Sequence, residues 1–154
     1  MERGGGGVPG TPELALRQAR LIAVALVVGV LLFWGVGFAL QPAVGEPAIS
    51  LDAALLIWGA LAVGGFIGAL VFRGRAASVA ESARRSGAAL DMEGRSRVTT
   101  NVIVAAALLE APALFAGVMQ FVSGHVALIP YAALVYLVGV ALTFPRAEWY
   151  GVRA

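Results

Sequence analysis

One carboxylate stands where a carboxylate is costly. Glu110 lies inside AAALLEAPALFAGV (105–118), a stretch otherwise fit for a hydrocarbon environment. An acid in that setting has two uses: it can titrate or hold an ion, or it can hydrogen-bond across a helix interface as glue. A low dielectric disfavours its charged form unless a cation sits beside it. No basic residue stands at matching depth in any apolar run, so an uncharged or ion-bound acid is the expected ground state.

Other chemistry-bearing residues are sparse. The chain has Cys 0 and His 1, so it offers neither a thiolate nucleophile nor a metal cluster, and His125 is expected to be a wetted turn residue. Neither paired carboxylates nor a nucleophile with its base occurs in the apolar runs. The expectation is a protein that is not an enzyme and needs no metal or cofactor.

Helical spacing puts small residues around the acid. Ala106 and Ala107 lie one turn before Glu110, Ala113 and Leu114 one turn after, and Gly117 two turns after. Small residues let a second helix approach closely, so this face is expected to meet protein. Gly64, Gly65 and Gly68 offer a matching surface on the preceding apolar segment, with Gly64 and Gly68 at the small-xxx-small spacing. Pro112 has no N–H and so frees the Leu108 carbonyl, a candidate acceptor for the Glu110 proton or ligand for a cation. Gln120 is expected near the outer interface.

The elements that must position these residues follow from composition. With 60% hydrophobic and 13% charged residues, and a mean hydropathy of +0.87, the chain is that of an integral membrane protein. Its net charge of +2 is too small for a nucleic-acid footprint. All the basic residues are Arg, which reads as codon bias. Four apolar runs, at about 19–40, 51–72, 99–122 and 126–144, each approach the roughly 20 residues that cross a ~30 Å hydrocarbon layer. The first is too long for a signal peptide and is read as a retained helix. Helix 3 can carry its acid: a central charge costs ~2.5–3.5 kcal/mol, and its ten Leu, Ile, Phe and Val residues return about 3–6 kcal/mol.

Punctuation marks the boundaries. Residues 1–11 are expected to form a disordered Gly-rich tail, and 12–154 a single four-helix membrane domain. Thr11-Pro12-Glu13 starts helix 1, with 12–20 along or just below the membrane surface. Pro42, Gly45 and Pro47 break the chain before Ser50 and Asp52 restart it, and Ser123-Gly124-His125 makes a tight turn. Segment 73–98 is expected to be a cytoplasmic loop, in which 75–90 can extend helix 2 with Gly87 and Gly94 interrupting. That loop holds Arg73, Arg75, Arg84, Arg85, Arg95 and Arg97, whereas 41–50 and 123–125 hold no Arg. The positive-inside rule then gives an all-α, antiparallel four-transmembrane-helix bundle, integral to a bacterial inner membrane, with both termini cytoplasmic. Trp34, Trp58, Trp149 and Tyr150 are expected as interface and packing aromatics, with Arg146, Trp149, Tyr150 and Arg153 at headgroup depth.

Residues 59–122 resemble the helical hairpin of the c subunit of rotary ATP synthases, the proteolipid of the membrane rotor. Gly64-Gly65-Phe66-Ile67-Gly68 matches its Gly-rich first helix, and Arg97-Val98-Thr99-Thr100 with Ala107-Leu108-Leu109-Glu110-Ala111 matches the approach to its mid-membrane carboxylate. The resemblance implies that Glu110 is the ion-binding acid, taking a proton or Na⁺. The loop is longer than the family's, its Arg-Gln-Pro signature is missing, and two further helices flank the hairpin. A relative that keeps the hairpin without the rotary task is therefore implied. Membrane lipids, and copies of itself or a larger membrane complex, are the expected partners. The alternative role is a structural or accessory subunit in which Glu110 ties helices together.

Overall fold

The computed structural model describes residues 11–40, 47 and 49–152. Residues 1–10 of the expected tail at 1–11, the loop residues Pro42 and Gly45, and Arg153 lie outside them. The described residues form four α-helices, α1 (Pro12–Leu40), α2 (Leu51–Arg85), α3 (Met92–Ser123) and α4 (Leu128–Thr143), followed by a short 3₁₀ turn at Ala147–Tyr150. Helices α1, α2 and α3 are each long and apolar enough to cross a membrane, while α4 is apolar but only 16 residues long.

Local chemistry sets the boundaries. Thr11 caps α1 by accepting from the Leu14 N–H, and Ser50 caps α2 by accepting from Ala53. Segment 73–98 is mostly helix, its first part through the expected extension of helix 2 and its last part through an early start of α3. Helix α2 continues to Arg85, with Glu81 bonded to Arg84 and Arg85 along the exposed last turns. Gly87, at φ 66°, turns the chain out of the helix. Helix α3 already starts at Met92, because the Asp91 side chain accepts the Gly94 N–H at 2.7 Å. Gly94 therefore sits in a capped first turn and interrupts nothing. The connection shrinks to 86–91.

Helix α4 is shorter than the expected 126–144 for a related reason. Pro130 is tolerated only in a first turn, where its missing N–H would be unpaired anyway, so the helix begins at Leu128. Pro145 stops it at the other end. Gly124, at φ 66°, ends α3 by returning its N–H to the Gln120 carbonyl. His125 is not a freely wetted turn residue. Its Nε2 lies 2.7 Å from the Ile49 carbonyl, an acceptor, so Nε2 donates and ties this turn to the entry of α2.

Helix α3 packs against all three other helices. Its face toward α2 is fixed by Gly65 and Gly68: a Cβ on Gly65 would collide with the Leu108 carbonyl oxygen, and one on Gly68 would lie 2.9 Å from Leu108 Cδ1. Toward α4, Leu109 fills the hollow at Gly139. Toward α1, Trp34 donates its indole N–H to the Ala113 carbonyl at 2.9 Å. Trp34 and Tyr136 then meet edge to face in the main core.

A second core closes the Arg-rich end. Leu16 and Ala19 of α1, Ala76 of α2, Val98 and Val102 of α3, and Trp149 and Tyr150 pack together there. The first turns of α1 thus dock into the bundle. Trp149 and Tyr150 are core residues of this end, as expected of packing aromatics, with Arg146 exposed over the Trp149 ring. Burial pushes the Tyr150 phenol up from its ordinary value, an effect that its hydrogen bond with Thr99 opposes.

Two expectations follow. Gly65→Ala forces a methyl against backbone that cannot swing away and should cost about 1–3 kcal/mol in reversible unfolding in detergent, whereas Gly64→Ala, whose Cβ meets nothing, should be neutral or slightly stabilising. A raised tyrosine pKa means that the folded state holds the proton more tightly. The stability it contributes is therefore full below about pH 10 and lost as pH rises through the folded value, and Tyr150→Phe should flatten that alkaline fall in a melting-temperature series.

Candidate functional site

Glu110 sits in the middle of α3, two residues before Pro112. It is half-buried, and no hydrogen bond or ion pair joins it to any described residue. Its surroundings are set by rotation about the α3 axis, at about 100° per residue. Leu108 projects about 160° away from Glu110, and Leu109 about 100° away. Since Leu108 meets α2 and Leu109 meets α4, neither helix lies over the acid directly.

The small residues around it divide into two sets. Ala106, Ala113 and Gly117 are buried, and Gly117 abuts the Phe33 and Trp34 rings of α1. Ala107 is exposed, as is Ala111, and Leu114 is half-buried. Glu110 therefore lies on the rim where the α1-covered face of α3 gives way to its open face. The expected pairing of this stripe with the α2 glycines does not form. Gly65 and Gly68 take Leu108 from the far side of α3, and Gly64 is exposed with open space around it.

The Leu108 carbonyl is also committed elsewhere. Pro112 leaves it without its helical donor, as expected, but it faces Gly65 of α2 and makes no hydrogen bond with Glu110. A Gly65 Cα–H points at it, a weak donor worth about 0.5–1 kcal/mol. Neither the proton nor a cation on Glu110 is served by that oxygen.

Two residues gain weight that sequence reasoning did not give them. Tyr136, in the centre of α4, lies close enough to Glu110 for the two to interact electrostatically. It was legible only as the one tyrosine in the middle of an apolar run. Gln120, expected near an interface, is 2% exposed, and neither its amide oxygen nor its nitrogen has a partner among the described residues. Its side chain fills the space beside Gly37 of α1, where a Cβ would come within 2.9 Å of Oε1. Ser123, one turn on, is buried and unpartnered as well.

Among the described residues no three His, Cys, Asp or Glu side chains gather in one place. No family model matches the chain, and no curated protein or solved structure matches it either.

An unpartnered buried amide is a liability that an apolar isostere removes. Gln120→Met should raise unfolding stability in detergent by about 1–2 kcal/mol; a loss of that size would instead reveal a polar partner, such as bound water, held at this position.

Proposed function

We propose that this chain is a four-pass integral membrane protein, arranged as an antiparallel bundle with both termini cytoplasmic, that takes up and releases a proton at Glu110. The observation that carries the reading is the isolation of that acid: a half-buried carboxylate at the middle of a long apolar helix, with no donor or cation among the described residues engaged to it. Ionisable groups at such depth are costly and belong to ion and proton pathways. A purely structural acid within one chain would have its hydrogen-bond partner in place.

A proton suits the site better than Na⁺. A bare cation needs several oxygen ligands, and the backbone oxygen freed by Pro112 is turned toward Gly65. A proton needs only the carboxylate. Tyr136, across the α3–α4 contact, is the polar side chain best placed to sense its arrival and departure.

The orientation rests on charge. Arg17, Arg20, Arg73, Arg75, Arg84, Arg85, Arg95, Arg97 and Arg146 all belong to the half of the bundle that the second core closes. Lys and Arg next to spans favour the cytoplasmic side. Self-association suits the same reading. Ala107, Ala111, Val118 and Val122 lie on one exposed face of α3, within about 60° of one another at 100° per residue, a seam that a second copy would cover beside Glu110.

Carbodiimide should label Glu110 when it is protonated, and labelling should fall as pH rises without responding to Na⁺. Glu110→Gln should abolish labelling and proton flux in reconstituted vesicles while leaving the bundle folded. Proton flux retained in Glu110→Gln would assign the acid to assembly; protection by Na⁺ would make the load a cation.

A further inference from the structure

At the Arg-rich end, α2 and α3 share a polar feature that is independent of Glu110. A pocket of about 430 Å³ opens between them, lined mainly by Arg75 and Ser78 of α2 and by Ser96, Arg97, Thr100 and Asn101 of α3. Both helices give it the same depth. The apolar run of α2 ends at Phe72 and that of α3 begins at about 99, so Arg75 stands three residues outside one run and Arg97 two residues outside the other. At 1.5 Å per residue these offsets are about 4.5 and 3 Å. Polar head groups add about 5–7 Å to each face of a ~30 Å hydrocarbon layer, so the pocket is level with them.

The lining is a set of donors. Besides the two guanidinium groups, Ser96 and Thr100 bring hydroxyls and Asn101 an amide, and none of these three side chains is hydrogen-bonded to another described residue. The Ser78 hydroxyl spends its proton on the Arg75 carbonyl at 2.9 Å. No carboxylate lines the pocket. The acids of this end are engaged elsewhere: Glu81 with Arg84 and Arg85, Asp91 as the cap of α3, and Glu148 with Arg146. Glu13 belongs to the first turn of α1.

The two cations are available to a ligand. Helical side chains tilt toward the N-terminus of their helix, which aims Arg75 back at the membrane edge, and its guanidinium lies 5.0 Å from the centre of the Phe72 ring. No carboxylate among the described residues pairs with it. Arg97 bonds Glu93 at 2.5 Å, but both side chains are largely exposed, and such a pair is weak and uses only part of a five-donor fork. Two positive charges and several free donors, with no facing acid, select an anion rich in acceptor oxygens. At head-group depth that anion is a phosphate.

We propose that the α2–α3 pocket binds a phosphate group, with Arg75 and Arg97 holding its oxygens and Ser96, Thr100 and Asn101 donating around them. An anionic lipid head group and a free phosphate ion both carry that chemistry. The proposal rests on the reading that the chain crosses a bilayer and not on proton handling at Glu110.

The test uses the full chain. Flotation with neutral phosphatidylcholine vesicles reports insertion separately: a chain that does not float overturns the membrane reading and this proposal together. Native mass spectrometry from a mild detergent then counts adducts of phosphatidylglycerol and phosphatidylcholine of equal chain length, offered together. One Arg beside an anionic head group contributes about fivefold in occupancy. Wild type should therefore retain the glycerol lipid preferentially, and Arg75→Gln and Arg97→Gln should each lower that preference about fivefold. Thr100→Phe fills the pocket with charge unchanged and should lower it too. Arg84→Gln combined with Arg85→Gln removes two charges of the same end outside the pocket and should leave it unaltered. All these positions are exposed, so the substitutions spare the core. Added inorganic phosphate separates the sources. A glycerol lipid that it fails to displace makes the ligand a lipid; saturable phosphate binding without lipid preference, lost in the same three variants, makes it the free ion. Equal retention of the two lipids with no phosphate binding overturns the proposal in a chain that floats. So does a preference that survives the three pocket variants, or one that falls as far in the Arg84, Arg85 control.

Discussion

In a hydrocarbon layer every backbone carbonyl that loses its helical donor must find another, and Pro112 creates one such carbonyl at the centre of the molecule. The chain answers by bringing the Gly65 Cα against the Leu108 oxygen, closer than any side chain would permit. That contact fixes the register of α2 on α3 to within a residue. Leu108 then drops onto Gly68, and Leu109, a seventh of a heptad further round, fills Gly139 of α4. Ala113 offers its carbonyl to the Trp34 indole, which locates α1. Each contact is a small residue receiving a large one, or a backbone oxygen receiving a donor, and α3 supplies a partner to every other helix.

The position of the acid is a consequence of this arrangement. Three helices pack around α3, and Glu110 falls at the edge of the α1 contact, where Ala106, Ala113 and Gly117 are covered and Ala107 and Ala111 are not. Burial there is enough to make a charge costly, and exposure enough to leave the carboxyl reachable from outside the bundle. A fully enclosed acid would exchange its proton only through motion of a packed helix. A fully lipid-facing one would have no polar neighbour, whereas Tyr136 is within electrostatic reach of this one. Rim placement reconciles those demands without any second charged group.

Much of this was legible in the sequence. Length and apolar periodicity locate the helices, Ser50 and Thr11 announce their starts, and Gly124 marks an end through the left-handed turn it makes. Glu110 and the close-packing glycines stand out because few residue types suit a membrane interior. The pairing of faces was not legible. Small residues occur on both sides of α3, so composition alone matched the Glu110 stripe to the α2 glycines, and only the direction of Leu108 shows that they face away from each other. The Arg-rich segment was legible in part, as an extension of helix 2 over 75–90, whereas the start of α3 as early as Met92 was not. Polar composition reads as loop when the expected boundary is the membrane edge, yet helices run past that edge whenever caps and ion pairs such as Glu81 with Arg85 and Glu93 with Arg97 support them. Trp149 and Tyr150 likewise read as interfacial anchors until Leu16, Ala19 and Val98 are seen to build a core for them.

The groove between α2 and α4 has the same origin as the rest. Consecutive residues on a helix point about 100° apart, so a helix seated by Leu108 and one seated by Leu109 must flank α3 at a wide angle. They diverge from their shared neighbour and touch each other only lightly, through pairs such as Trp58 with Tyr131 toward the Arg-poor end. Closing the gap would require larger residues than Gly59 and Ala62, or a different seat for one of the leucines, and the second option would lift Gly65 off the Leu108 oxygen. A chain in water would fill such a hollow with side chains. In a bilayer the surrounding solvent is itself apolar, so a hollow lined by apolar side chains can persist without such filling.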